Sequence, residues 1–235
     1  MTTKKQDLTV KIALKLLKYI SYRYFENKVA LQFFSGSNNI LDVGCGQGGF
    51  IENDPSRIQG IDINPNNINK CIEKGFTATE SDALNIKFED NTFDGAYCSH
   101  VIQLFDYNDA LLLLRELRRI VKPNGLVVIA SFPDHKRLFT TPETFRAYPP
   151  IAIRRLIAQA SDYKDSISSP TYADAPLLIQ EGIWLRRPAL IELEGPKSET
   201  ATNVSMMLNL LQHKLFLRKY WTYNGYVIKL RNGPK

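Results

Sequence analysis

The sequence predicts an α/β fold with a mostly parallel sheet. Short apolar strands alternate with helices of about ten residues. The first strand runs directly into a cluster of glycines. Hydrophobic spacing also changes from a helical to an extended period after a turn-rich break at residues 35–39. Of the 235 residues, 44% are hydrophobic and 23% charged, a mix that argues against disorder. This length suits one domain carrying a lid or insertion.

Residues 8–34 read as an amphipathic helix. Val10, Ala13, Leu14, Leu17, Ile20 and Tyr24 share one face, with Lys11, Lys15 and Lys18 on the other. Strands follow at 40–43 and 57–63, and Asn64-Pro65 opens a helix running to about residue 74. Further strands are expected at 76–80 and 93–98. Asn108 is the expected N-cap of a helix over 109–121, which Lys122-Pro-Asn-Gly125 stops, and a fifth strand covers 126–130. Beyond Ser131 the pattern weakens. It still predicts a helix at 151–159, a loop at 161–176, a strand at 183–193, a helix at 204–218 and a strand at 223–230.

Charge is unevenly spread. Residues 1–35 carry seven Lys/Arg against two Asp/Glu, residues 36–131 carry eight against thirteen, and residues 132–235 carry fifteen against nine. An acidic middle between basic flanks suits a cationic ligand in the centre and an anionic one beside it. The three cysteines form no CxxC pair, and the three histidines show no metal-ligand spacing, so no metal site is expected. No apolar run is long enough to span a bilayer, and the polar start suggests no secretion signal, so the expected compartment is the reducing cytoplasm.

The most informative segment is Ile40-Leu-Asp-Val-Gly-Cys-Gly-Gln-Gly-Gly-Phe50. Glycines between a strand and a helix let the backbone turn tightly and approach a ligand closely. Gly44, Gly46 and Gly49 satisfy GxGxxG, a pattern shared with nicotinamide and flavin enzymes. Four further features narrow it. Asp42 precedes the first glycine by two residues, and Asp62 ends the second strand twenty residues later. Asp82-Ala-Leu84 follows the third strand, and Lys122-Pro-Asn-Gly-Leu126 links helix to strand.

Together these motifs, over roughly residues 38–131, resemble the class I S-adenosylmethionine (SAM)-dependent methyltransferases, and within them the small-molecule branch that includes quinone-biosynthesis enzymes. The resemblance implies a Rossmann-like, seven-stranded, mostly parallel sheet with helices on both faces, and SAM as cofactor with S-adenosylhomocysteine as product. It implies a single methyltransferase domain over 1–235, with 1–35 as an N-terminal helical cover, 36–131 as the SAM-binding core, and 132–235 as the acceptor-side region and last strands. By the same resemblance, the Asp42, Gly44, Cys45 and Gly46 backbone would wrap the methionine moiety and ribose. Asp62 would bind the ribose with Ile63 beside the adenine, and Asp82 and Ala83 would meet the adenine edge. Ser99 and His100 would lie near the methyl group. One departure from the family is that only residues 50–57 separate the glycine loop from the second strand, so the first helix should be trimmed or irregular.

A methyl group on a sulfonium is already activated, so catalysis needs mainly alignment, and a base only where the nucleophile must lose a proton. His100 and His135 are the candidates for such a base, and each equally fits a pocket wall. Aromatics and cations in both flanks suit a small acidic or aromatic acceptor, or alternatively RNA, tRNA in particular. A non-catalytic SAM-binding protein is the third reading. The chain after the fourth strand, Cys98-Ser-His-Val101, is not the Asp/Asn-Pro-Pro-Tyr/Phe motif of amino-methylases acting on DNA bases.

Overall fold

The computed structural model describes residues 22–132, 144–160, 177–188 and 221–233. The chain divides into two compact units, Met1–Val29 with Leu185–Asn224, and Ala30–Trp184 with Gly225–Lys235. The second unit carries the glycine loop.

The described elements are helix α1 (Tyr22–Phe33), strands β1 (Ile40–Val43) and β2 (Ile58–Asp62), helix α2 (Pro65–Glu73), strands β3 (Ala78–Glu80) and β4 (Phe93–Ser99), helix α3 (Tyr107–Ile120), strand β5 (Val121–Ser131), helix α4 (Pro150–Ala160), and strands β6 (Leu177–Pro188) and β7 (Trp221–Asn232). They build one seven-stranded sheet of order β3-β2-β1-β4-β5-β7-β6. Strands β3 to β5 pair in parallel through β2, β1 and β4, while β7 runs antiparallel to β5. The sheet is therefore mostly parallel, as the alternation of strands and helices predicts.

All four β1 residues are buried, as a central strand covered on both faces requires. On one face Leu41, Val43, Ile61 and Cys98 join a core with Leu113, Leu114 and Leu117 of α3 and Ile153, Leu156 and Ile157 of α4. On the other, the Phe50 ring lies tilted against Tyr97 at 4.2 Å and 6.4 Å from Phe34. Phe34 rests on β4 so closely that a Cβ on Gly95 would sit 2.5 Å from its ring. Arg57 donates to the carbonyl oxygens of Ser37 and Phe34 at 2.6 and 3.4 Å. Residues 34–37 thus lie by the starts of β2 and β4, at the sheet edge opposite the glycine loop.

Helix α2 starts as its sequence dictates. Asn64 accepts from Asn66 N–H at 3.0 Å, and Pro65 occupies the first turn. Helix α3 corrects one expectation, since its N-cap is Asp106 and not Asn108. Asp106 Oδ1 accepts from Asp109 N–H at 2.9 Å. The Tyr148 hydroxyl donates to Asp106 O at 2.7 Å and fixes the chain there, so the helix begins two residues early. Its apolar positions, Ala110, Leu113, Leu114, Leu117 and Ile120, fall on one buried face.

The expected stop at 122–125 takes an unexpected form. Phe93 pairs with Val121 and Gly95 with Leu126, so Lys122, Pro123, Asn124 and Gly125 bulge out of a strand that has already begun. Asn124 makes the turn at φ +66°. The trimmed first helix is present as a single 3-10 turn, Ile51–Asn53. Strand β6 starts at Leu177, six residues before the expected 183, and residues 189–193 of that expectation lie outside the described residues. The expected loop 161–176, the helix 204–218 and most of the helix 8–34 lie outside the described residues.

Candidate functional site

The C-terminal ends of the parallel strands bring the predicted residues to one edge. Beyond Val43 the chain turns through Gly44 (φ +73°) and Gly46 (φ +53°), a left-handed region that glycine enters without steric cost. The two differ in what surrounds them. A Cβ on Gly44 would lie 2.3 Å from Val101 Cγ2, whereas a Cβ on Gly46 would meet nothing within 4 Å. Gly44 is thus a packing position, and Gly46 opens onto free space, as a backbone cradle for a ligand needs.

Asp62 holds that cradle in place. Its Oδ2 accepts from Gly46 N–H at 2.8 Å, and its Oδ1 from Asn64 N–H at 2.9 Å and Asn67 Nδ2 at 3.2 Å. A carboxylate offers about four acceptor positions, so three are filled internally and one, on Oδ2, faces outward demand. The expected role of binding both ribose hydroxyls therefore has less free capacity than the sequence implies. Asp62 first shapes the loop. Ile63 follows it, highly exposed at 68%.

The next loop is tied in through Ser81 N–H, which donates to Asp62 O at 3.2 Å. Asp82 Oδ1 accepts from Leu84 N–H at 2.9 Å, and Ala83 packs partly against the core. Asp82 and Ala83 are therefore brought to the same edge as Asp62. Lys74 adds a brace, its Nζ donating to Gln47 O at 2.6 Å.

Asp42 is buried in mid-sheet, opposite Gly60 on one side and Tyr97 on the other. Burial pushes all three thiols up, Cys98 to about 12, and the Asp42 carboxylate acts in the same direction on each. Cys45 and Cys71 both point their sulfurs at Gly46 O, at 3.6 and 3.4 Å. They are packing groups around the cradle, not nucleophiles.

Ser99 ends β4, paired with Ala130 of β5. His100 then adopts φ +57°, unusual for a residue with a side chain, and its N–H donates to Ala130 O at 2.8 Å. Its ring lies 4.2 Å from that of Phe132. This turn delivers Val101 onto Gly44 and starts a short 3-10 turn, Ile102–Leu104. His135 lies outside the described residues.

Sequence reasoning missed two groups. Asn67 supports Asp62, and its only signal is a position one helical turn along α2. Gln103, buried behind Leu104, accepts through Oε1 from the fully buried Ser131 Oγ at 2.7 Å. No local pattern marks that pair, because its members lie 28 residues apart. Among the described residues no His, Cys, Asp and Glu group could hold a metal ion, and no helix is long and apolar enough to cross a membrane.

Residues 41–129 match the profile of a family described as a methyltransferase domain. A tRNA (carboxymethyluridine(34)-5-O)-methyltransferase of Arabidopsis thaliana is 34% identical over 101 residues, 42% of this chain and 25% of that protein. A demethylmenaquinone methyltransferase of Bacillus pumilus (strain SAFR-032) is 33% identical over 101 residues, 37% of this chain and 42% of that protein. The chain thus matches between a quarter and about two fifths of the length of these relatives. The crystal structure of a SAM-dependent methyltransferase from Archaeoglobus fulgidus superposes with a TM-score of 0.60 at 19% identity, covering 89% of this chain and 94% of that one. At that identity the likeness is one of fold.

Proposed function

We propose, from the premise that residues 41–129 form a class I SAM-dependent methyltransferase domain, that this chain transfers a methyl group from SAM to a small acidic or aromatic acceptor. The observation that carries the reading is the open face of Gly46 above its hydrogen bond to Asp62. A nicotinamide-binding loop would share the glycines. Asp42 buried in the strand before them, and Asp82 tied to Asp62 through Ser81, favour the adenosyl sulfonium.

SAM supplies, when bound, a methyl group on a cationic sulfur. The chain's own residues hold and orient. Gly44, Cys45 and Gly46 offer their backbone, Asp62 its one open acceptor position, and Asp82 with Ala83 the far wall beside the exposed Ile63. The acidic middle third favours the cation. Ser99 and His100 close the side toward β5. His100 is the candidate base where the acceptor carries a proton. The chain is expected to work in the cytoplasm, in keeping with three buried free thiols.

RNA is the second reading, favoured by the tRNA-methylating relative and by the basic flanks. Thermal shift tests the cofactor. SAM and S-adenosylhomocysteine should raise Tm and NAD should not, and stabilisation by NAD alone would refute the reading. Incubation with radiolabelled SAM and separate metabolite and RNA pools then distinguishes the acceptors. Label in RNA, lost steeply as salt rises, would select the second reading.

A further inference from the structure

We propose that Gln103 is an acceptor-binding residue, held by Ser131 so that its amide N–H groups meet an oxygen of a planar, anionic acceptor. This deepens the methyl-transfer reading and rests on it.

Gln103 is fixed at both ends. Its carbonyl oxygen accepts from Phe145 N–H at 2.8 Å and Arg146 N–H at 3.1 Å. Its side-chain Oε1 accepts from Ser131 Oγ, a residue with no exposure at all. With Oε1 engaged, the other end of the amide is a pure donor. A second polar group sits one residue from the same anchor. Thr144 is 8% exposed, and its Oγ1 is buried with no hydrogen-bond partner among the described residues. An unanswered buried hydroxyl is unfavourable, and a bound ligand would answer it.

The place is right for an acceptor. Ser131 lies one residue past Ala130, the partner of Ser99, so the pair stands at the same strand edge as the glycine loop. Strand β5 is two strands from β1 in the sheet, a separation of about 10 Å at the usual spacing. Chemistry then sets the class. Amide N–H groups select an oxygen acceptor over a donor. Arg146, exposed, with its guanidinium 5.7 Å from the Tyr148 ring and its N–H on the Gln103 carbonyl, favours negative charge at this edge, and Phe145, 65% exposed, offers a ring face. An aromatic acid or ionised phenol satisfies all three.

The probe is 1-hydroxy-2-naphthoate, a fluorescent planar acid, titrated into full-length protein saturated with S-adenosylhomocysteine. Wild type should bind it, and Gln103→Leu should bind at least tenfold more weakly with unchanged S-adenosylhomocysteine affinity, which also reports folding. Ser131→Ala should weaken the probe similarly while leaving S-adenosylhomocysteine affinity unchanged, a split that a merely structural loss would not produce. The inference is overturned if wild type binds S-adenosylhomocysteine but not the probe, or if Gln103→Leu binds the probe as wild type does. If wild type binds no S-adenosylhomocysteine, the methyl-transfer reading itself falls, and this inference with it.

Discussion

Gly44→Ala and Gly46→Ala should separate stability from ligand binding within one loop. Both positions have positive φ, +73° and +53°, and a left-handed alanine costs about 1–2 kcal/mol. Only Gly44 adds a collision, since its new methyl would lie 2.3 Å from Val101 Cγ2. Val101 is β-branched and buried, so it cannot swing aside. Overpacking of this kind adds about 1–3 kcal/mol, so Gly44→Ala should lose about 2–5 kcal/mol. At about 2–4 °C per kcal/mol for a chain this long, Tm should fall by roughly 4–20 °C. Gly46→Ala should lose only about 1–2 kcal/mol, or roughly 2–8 °C, because nothing stands within 4 Å of its methyl. That methyl instead enters the cradle, so S-adenosylhomocysteine affinity should drop at least tenfold in a folded protein. Calorimetric melting and isothermal titration read the two effects separately. Val101→Ala in the Gly44→Ala background removes the colliding atom and should recover the overpacking part. Unchanged S-adenosylhomocysteine affinity in Gly46→Ala would refute the cradle. Equal melting of the two single variants would refute the collision.

Other perturbations have equally direct outcomes. Asp62→Ala should weaken S-adenosylhomocysteine by about 1.5–3 kcal/mol, the contribution of one hydrogen bond to a charged group through its one open acceptor position; titration of a folded variant checks it. Asp94 is held below the usual carboxylate range chiefly by a hydrogen bond from Lys122, with Asn38 and Asn39 N–H groups adding to it. Its contribution is therefore full above about pH 4 and is lost as the pH falls through its lowered folded-state value. Urea midpoints of wild type should drop more steeply below pH 4 than those of Asp94→Asn. Cys98, fully buried and pushed up to about 12, should resist iodoacetamide at pH 8 in the folded state, and peptide mapping after labelling with and without urea reads this.

Much of the glycine-loop edge is legible in sequence because it is local. Asp42, Gly44, Gly46, Asp62 and Asp82 sit at strand ends, and a strand-to-loop transition is written in neighbouring residues. Two matters escaped. Asp106 and Asn108 are both good caps, and Tyr148, forty-two residues away, decides between them. The bulge at 122–125 depends on β4 pairing both before and after it, which a helix-stop signal cannot express. The acceptor side is less legible for the same reason. Gln103 gains its meaning from Ser131 and from Phe145 and Arg146, none of which is near it in sequence. The remaining expectations for that side, including the cover over 8–34 and His135, fall largely outside the described residues.

The strand order has a consequence for how the chain is made. Strand β7 lies between β5 and β6, although β6 comes first in the chain. During synthesis β6 emerges with its eventual neighbour still unmade, and the flank of β5 stays bare until residues 226–231 arrive to pair with 126–131. The glycine loop and its strands can assemble in the meantime, because β3, β2, β1, β4 and β5 are already complete. A chain that stops before residue 226 would therefore have its glycine loop in place but the flank of β5 and the strand β6 both without their sheet neighbour. Such a bare flank is where another chain adds on, so the last strand decides whether the newborn protein stays solitary or sticks to its neighbours.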